Sequence, residues 1–410
     1  MSHTRREFLR QTLGGSTLLA LAPTAPVFLG RTAHATAARR DDRDTILVVV
    51  QLAGGNDGLN TVVPHGDDAY HKARPTLRIP AAKVHRIDNL LGFHPRMEAI
   101  HRLYQEGLLS VVQGVGYPNP QGGHFESMHI WQTADPSRRK DQTGWLGRAI
   151  DWATRDDPAL VPGAYVGQID LPFTMNARRS IVPTIRTPKD ATFGAAFDTR
   201  LAEPASGGGN PLLDFVRRSS LDACRDSRQI AAATSDSAGS GDYPPIQFAR
   251  MLNLVAQLIR ADVGIRIYYT ELGGVEPGGF DNHAGQAENH SVLLHQLSES
   301  VAAFVRDLKR DGLLDRVLLM TFSEFGRTVR ENGRRGTDHG SAAPLLLAGG
   351  GLRGGLVGPH PNLTELENGG QKFHTDFRRV YATLLDRWLG FDSTAILGDL
   401  FVPLDILRPS

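Results

Sequence analysis

A single cysteine, Cys224, occurs in 410 residues, so no disulfide can staple the fold within one chain. An oxidising compartment is therefore tolerated by this chain and not exploited. Charge of one sign is also missing: 45 Lys+Arg stand against 44 Asp+Glu, a formal net charge of +1. Residues 1–35 hold four of those cations and one of those anions, which leaves 41 against 43, net −2, for the remainder. That balance argues against nucleic acid or an anionic membrane as the main partner. An unbroken apolar run of about 20 residues, the length of a membrane span, is absent as well. A weakly apolar stretch near the N-terminus is interrupted by Gly14, Gly15, Pro23 and Pro26.

What that N-terminal stretch does contain is directional. It reads TRREFLRQTLGGSTLLALAPTAPVFLGRTAHA, with Arg5-Arg6 ahead of Phe8-Leu9 and a small-x-small pattern at Ala33-His34-Ala35. This is the layout of a twin-arginine export signal. The expectation is that residues 1–35 engage the twin-arginine translocase and are removed. The mature protein is then periplasmic or extracellular, with no stable membrane span. Folded cargo on this route often carries a metal or cofactor already loaded.

Residues 36–410 exceed a typical single core, so one large or two unequal domains are expected. TILVVVQLA (45–53) is a near-continuous β-branched run, as a strand buried on both faces should be. Helical spacing follows at 94–107, then a strand at 108–116, a helix at TGWLGRAIDWATRD and a strand at GAYVGQI. From 187 to 243 the pattern weakens into EPASGGGN and TSDSAGSGDYPP, linker text that reads as an insertion or cap. Helical spacing resumes at 245–262, with strands at 264–272, 317–322 and 343–350, a long helix at about 285–311 and a last helix near 375–390. Alternating strands and helices predict an α/β fold, a doubly wound, mostly parallel sheet sandwiched by helices. In such folds ligands bind beyond the carboxyl ends of the strands.

Four strand-end segments carry chemistry there. They are LAGGNDGLN with Asp57, GGHFESMH with His124 and Ser127, GGFDNHAGQ with Asp281 and His283, and SEFGRTVRENGRRGTDHGS with Glu324, Arg327, Asp338 and His339. Each has a plainer reading: Asn-Asp-Gly is a turn signal, Asp281 or Asp338 could cap a helix, and Ser127 could be an ordinary first-turn serine. His65, His71, His85 and His101 are assigned to ordinary surface or hydrogen-bonding roles, with His94, His360 and His374 held in second rank. The plainer readings do not account for carboxylates and imidazoles recurring at the same end of several strands beside glycines. Asp, Glu and His form the ligand set of divalent ions in hydrolytic sites, and a cation removes the repulsion between clustered carboxylates. Two ions about 4 Å apart could hold a phosphate or sulfate ester.

GGNDGLNTVVP, HFESMHIWQTAD, GWLGRAID, FDNHAGQ, SEFGRT and GTDHGSAAPLLLAGG, together with the twin-arginine leader, resemble a large uncharacterised group of exported bacterial proteins. That group is placed within the alkaline phosphatase/sulfatase superfamily, and the resemblance implies an alkaline phosphatase-like sandwich with a two-metal site. It implies that Asp57 bridges metals, that Asp281 and His283 serve one ion, and that Glu324 stands in for an Asp of an Asp-His pair. His339 then matches the late histidine ligand, with Asp338 as an added ligand; the ion is Zn, Mn, Mg or Ca. Three departures accompany it: Phe325 stands where a histidine is usual, the Asp281–His283 spacing is short, and Gly123 replaces a serine. Ser127 or His124 then takes the catalytic part, and Arg327 is the nearest cation for the ester oxygens. Cys224 sits in CRDSR, which lacks the Pro or Ala a formylglycine site needs. The expected function is an exported metal-dependent hydrolase acting on a small-molecule or glycan ester of phosphate or sulfate. The alternative is a non-catalytic periplasmic binding or assembly protein that retains the fold.

Overall fold

The computed structural model describes residues 44–137, 142–156, 162–187, 242–273 and 279–409. The expected export signal, Cys224 and nearly all of the expected insertion lie outside the described residues. No helix among the described residues is long and apolar enough to cross a membrane.

The β-branched run forms β1 (Ile46–Leu52). Its side chains alternate between two cores: Ile46, Val48, Val50 and Leu52 enter one, Leu47 and Val49 the other. A strand apolar on both faces must lie mid-sheet, and β1 does. It pairs in parallel with β5 (Ile267–Leu272) on one side and β6 (Val317–Phe322) on the other. Beyond β5 come β3 (Gly163–Val166) and β4 (Thr184–Ile185), both parallel. Beyond β6 come β7 (Ala343–Gly349), then β2 (Leu109–Gly116), then β8 (Gly355–Val357). The order is β8-β2-β7-β6-β1-β5-β3-β4, and β7 alone on this path runs antiparallel to its neighbours.

Helices cover both faces. The first core takes Ile100 and Leu103 of α1 (Glu98–Gln105), Leu252 and Val255 of α4 (Gln247–Arg260), and Leu297 and Val301 of α5 (Gln286–Arg310). The second takes Trp131 of α2 (His124–Thr133), Ile150 of α3 (Trp145–Ala153) and Tyr381 of α6 (Phe377–Thr383). Each fully buried aliphatic side chain in such a core contributes about 1.5–3 kcal/mol. The α/β sandwich expected from the sequence is the architecture observed.

Strand direction decides where the polar loops gather. β1, β5 and β6 are parallel, so their carboxyl ends share one rim. β7 is antiparallel to β6 and therefore starts at that rim; β2 is antiparallel to β7 and therefore ends there. All four segments singled out in the sequence meet at this edge.

Candidate metal centre

Three imidazoles converge on one carboxylate at the rim. Asp281 Oδ1 lies 3.0 Å from His283 Nε2 and 3.3 Å from His339 Nε2, and Asp281 Oδ2 lies 3.4 Å from His124 Nε2. The two Nε2 atoms of His283 and His339 are 2.9 Å apart. His124, Asp281 and His339 each offer one ligand atom within 4.8 Å of the others.

The opposite nitrogen of each ring also faces an acceptor. His124 Nδ1 is 3.0 Å from Glu324 Oε1, His283 Nδ1 is 3.0 Å from Asp338 Oδ1, and His339 Nδ1 is 2.6 Å from the Gly122 carbonyl oxygen. All three partners accept hydrogen bonds, so a ring protonated at Nδ1 donates to the group behind it. With Nδ1 protonated, each neutral ring turns a bare Nε2 lone pair toward the other rings and toward a carboxylate. That arrangement is unfavourable without a proton or a cation between the groups. Ligands around a tetrahedral ion with bonds of about 2.0–2.1 Å sit roughly 3.3 Å apart, close to the spacings here. A carboxylate or carbonyl behind each ring is also the usual support of metal-binding histidines. The residues fit a bound divalent ion.

Local chain geometry builds this support. Glu324 follows β6 directly, is buried, and accepts the Gly54 N–H at 2.8 Å. Gly54 has φ +111, and a Cβ there would meet the Asp281 nitrogen at 2.6 Å. Gly55 has φ +81, and a Cβ there would meet the Phe325 ring at 2.2 Å. The glycine pair thus permits β1 to turn beneath Asp281 without collision. The Phe325 ring is buried and stacks on His339 at 4.4 Å between centroids, with His124 at 4.9 Å.

Electrostatics follow the contacts. The hydrogen bond to Glu324 raises the pKa of His124 above the ordinary histidine value. Burial lowers that of His339. For Asp281, burial opposes ionisation, but the hydrogen bond and charge of Arg327 outweigh it and hold the carboxyl below its usual range.

Several expected site residues lie elsewhere or act differently. Asp57 does not join the cluster. It is 2% exposed and held bidentately by Arg74, Oδ2 to Nη1 at 2.6 Å and Oδ1 to Nη2 at 2.9 Å, with the Gln286 amide donating to Oδ2. A carboxylate so occupied by a guanidinium has no oxygen turned to an ion at the rim. Ser127 is fully buried, its hydroxyl donating to the Gln121 carbonyl at 2.5 Å and lying 3.1 Å from the Tyr117 hydroxyl. Its helix does begin at His124, but the serine points into the fold. Arg327 is buried and does not present its guanidinium to solvent. Glu324 and Asp338 stand behind histidines. Asp281 caps no helix, because α5 starts five residues later with Gly285 at its N-cap.

His124, expected as catalytic, stands with Asp281 and His339 in a group that could hold a metal ion. The clue was available: GGH at 122–124 has the same glycine-flanked form as the other strand-end segments. Arg74 carries no comparable sign, because it sits at the end of an ordinary helix, Asp68–Ala73. A groove of about 590 Å³ opens beside the cluster, lined by His124, Glu324, Gln51, Phe125, Met128 and Phe173 among others. Phe125 is 90% exposed at its mouth.

The model of a family described as "Protein of unknown function (DUF1501)" matches residues 110–398. No curated protein matches the chain. Among solved structures, the C-terminal periplasmic domain of EcEptC from Escherichia coli, in complex with Zn, is 9% identical, covers 74% of this chain and 73% of its own, and has a TM-score of 0.38. PsFucS1 sulfatase from Pseudoalteromonas sp. is 12% identical over 92% of this chain and 74% of its own, TM-score 0.40. A protein in the alkaline phosphatase superfamily from Vibrio parahaemolyticus is 10% identical over 91% and 77%, TM-score 0.39. Likeness at this level does not inform the site, which stands on its own contacts.

Proposed function

This chain belongs to the DUF1501 family, whose function is unknown, and we propose from its site that it is an exported metal-dependent hydrolase of phosphate or sulfate esters. The observation that carries the proposal is the convergence of three histidine Nε2 atoms on Asp281, each ring backed at Nδ1 by a carboxylate or carbonyl oxygen. His124, Asp281 and His339 would hold the ion, with His283 beside them. Imidazole nitrogens with a single carboxylate favour Zn²⁺, or Mn²⁺ in its place, over Ca²⁺ and Mg²⁺, which prefer all-oxygen sites. A divalent ion there supplies Lewis-acid polarisation of an ester oxygen.

The chain's own groups do the rest. Glu324 holds the Nδ1 proton of His124 and keeps that ring's Nε2 aimed at the site. Ser127 is sealed, and the Ser323 hydroxyl donates to the Leu52 carbonyl at 2.6 Å, so neither is free to attack an ester. Water is then the nucleophile, and the products are the acid and the alcohol. Phe125, Met128 and Phe173 offer apolar walls for the aryl or sugar part of the substrate, and Gln51 offers a polar contact. The Arg5-Arg6 leader supports export by the twin-arginine translocase to the periplasm or beyond.

A second reading, a binding protein that keeps the ion without turnover, draws on the absence of a free serine at these two positions. The test is metal content of protein recovered after export, followed by turnover of aryl phosphates and aryl sulfates with and without chelator. Bound metal and chelator-sensitive turnover support the hydrolase. Metal without turnover supports the binding protein, and no metal sinks both.

A further inference from the structure

Arg327 lies against the same carboxylate that the histidines face, and its surroundings are those of a cation site already filled. Its Nε donates to the Gly55 carbonyl at 2.7 Å and its Nη1 to the Thr337 carbonyl at 3.2 Å. Its Nη2 donates to Phe280 O at 3.0 Å, to Asp281 Oδ1 at 2.7 Å and to Gly54 O. Four backbone carbonyls and a carboxylate oxygen thus surround a side chain that is 1% exposed. Oxygen cages of this kind suit a hard cation, and here the cation is covalently part of the chain.

We infer that the Arg327 guanidinium is a built-in cation taking up Oδ1 of Asp281, so that the centre takes one divalent ion and not two. The inference rests on the metal-centre reading above and fixes its nuclearity. Two-metal hydrolytic sites hold their ions about 3.5–4 Å apart, close enough to share a ligand. Asp281 is the carboxylate placed to be shared, but one of its oxygens is already bonded to Arg327. A guanidinium cannot itself be a metal ligand, because it stays protonated and has no lone pair to give. The guanidinium is also packed on its aromatic side. The Phe325 ring lies 5.7 Å from the guanidinium carbon and packs against Gly55, where even a methyl group would collide. Asp57, the other carboxylate expected at a shared position, is likewise taken by an arginine. Both carboxylates expected to be shared between ions are thus bonded to an arginine.

The test is titration of the full metal-free chain with Co²⁺, counting bound ions and recording the EPR spectrum. Wild type should saturate at one Co²⁺ per chain with an uncoupled spectrum, and so should Arg327→Lys, which keeps the charge. Arg327→Ala and the bulkier Arg327→Gln, compared so that folding of either suffices, should take up a second Co²⁺ with a spin-coupled signal. Circular dichroism identifies which variants are folded. Two ions in wild type, or a single ion in a folded neutral variant, would overturn the inference while leaving the metal centre standing. No ion in wild type would sink the metal-centre reading itself, and this inference with it.

Discussion

Asp57 and Asp281 sit at the carboxyl ends of neighbouring parallel strands, each in the pattern Gly-Gly-x-Asp, and they meet opposite fates. Asp57 is sealed, both oxygens bonded to Arg74, with a glutamine amide completing the shell. Asp281 has a side chain 40% exposed and faces three imidazoles, with only one flank tied to an arginine. The pattern places a carboxylate at the rim. What the carboxylate then does is settled by the distant residue that arrives opposite it: Arg74 for one, His339 and His124 for the other. Arg74 also reaches the Thr328 and Val329 carbonyls, so the sealed pair anchors the loop that carries His339. One aspartate serves as foundation and the other as working surface.

The comparison can be broken most severely at the working surface. His339→Ala should abolish metal binding, read as loss of bound metal after gel filtration, with little change in the melting of the metal-free protein. Asp57→Ala should do the reverse. It strands Arg74 as an unpaired buried charge and should cost about 3–5 kcal/mol in denaturant unfolding. The fraction that remains folded should still bind metal. If Asp57→Ala instead removed the metal at unchanged stability, the division of labour between the two aspartates would be wrong.

A smaller effect is expected one layer out. Glu324→Gln keeps the shape but weakens the hold on the His124 Nδ1 proton, and should lower metal affinity roughly 10- to 100-fold. Below that comes acid. Burial depresses the pKa of His290 to about 4, and its ring sits 2.9 Å from the Asn56 side-chain oxygen next to the sealed pair. Between its unfolded value of 6.5 and about 4 the unfolded chain binds a proton that the folded chain does not. Stability therefore falls as pH falls through that window, by about 1.4 kcal/mol per unit at most for this group. His290→Gln should flatten the slope of stability between pH 6.5 and 5. The smallest effect should be Ser127→Ala, which removes one buried hydroxyl at about 1 kcal/mol. Its turnover relative to wild type should be unchanged, because the hydroxyl does not reach the cluster.

The fold was legible because its signals are local. A run such as ILVVVQL can only sit between two apolar layers, and the glycine-flanked loops mark strand ends whatever follows. The rim location of Asp281, His283, Glu324, Asp338 and His339 followed from the same logic. What stayed hidden depends on pairs far apart in the chain. Nothing near Arg74 announces that it will grip Asp57, and nothing near Arg327 shows that its donors will all point inward. Whether Glu324 is a ligand or the support of a ligand depends on the ring of His124, 200 residues earlier. The short Asp281–His283 spacing resolves in the same way: His283 meets Asp281 Oδ1 beside His339, and Asp338 backs it from the next loop.

The most direct measurement is the ¹⁵N NMR spectrum of histidine side chains in the metal-free chain during a Zn²⁺ titration. The account predicts Nδ1-protonated tautomers for His124 and His339, with their Nε2 resonances alone moving to metal-bound positions as zinc is added. Nε2 resonances that stay in place, or rings that bind through Nδ1, would contradict it.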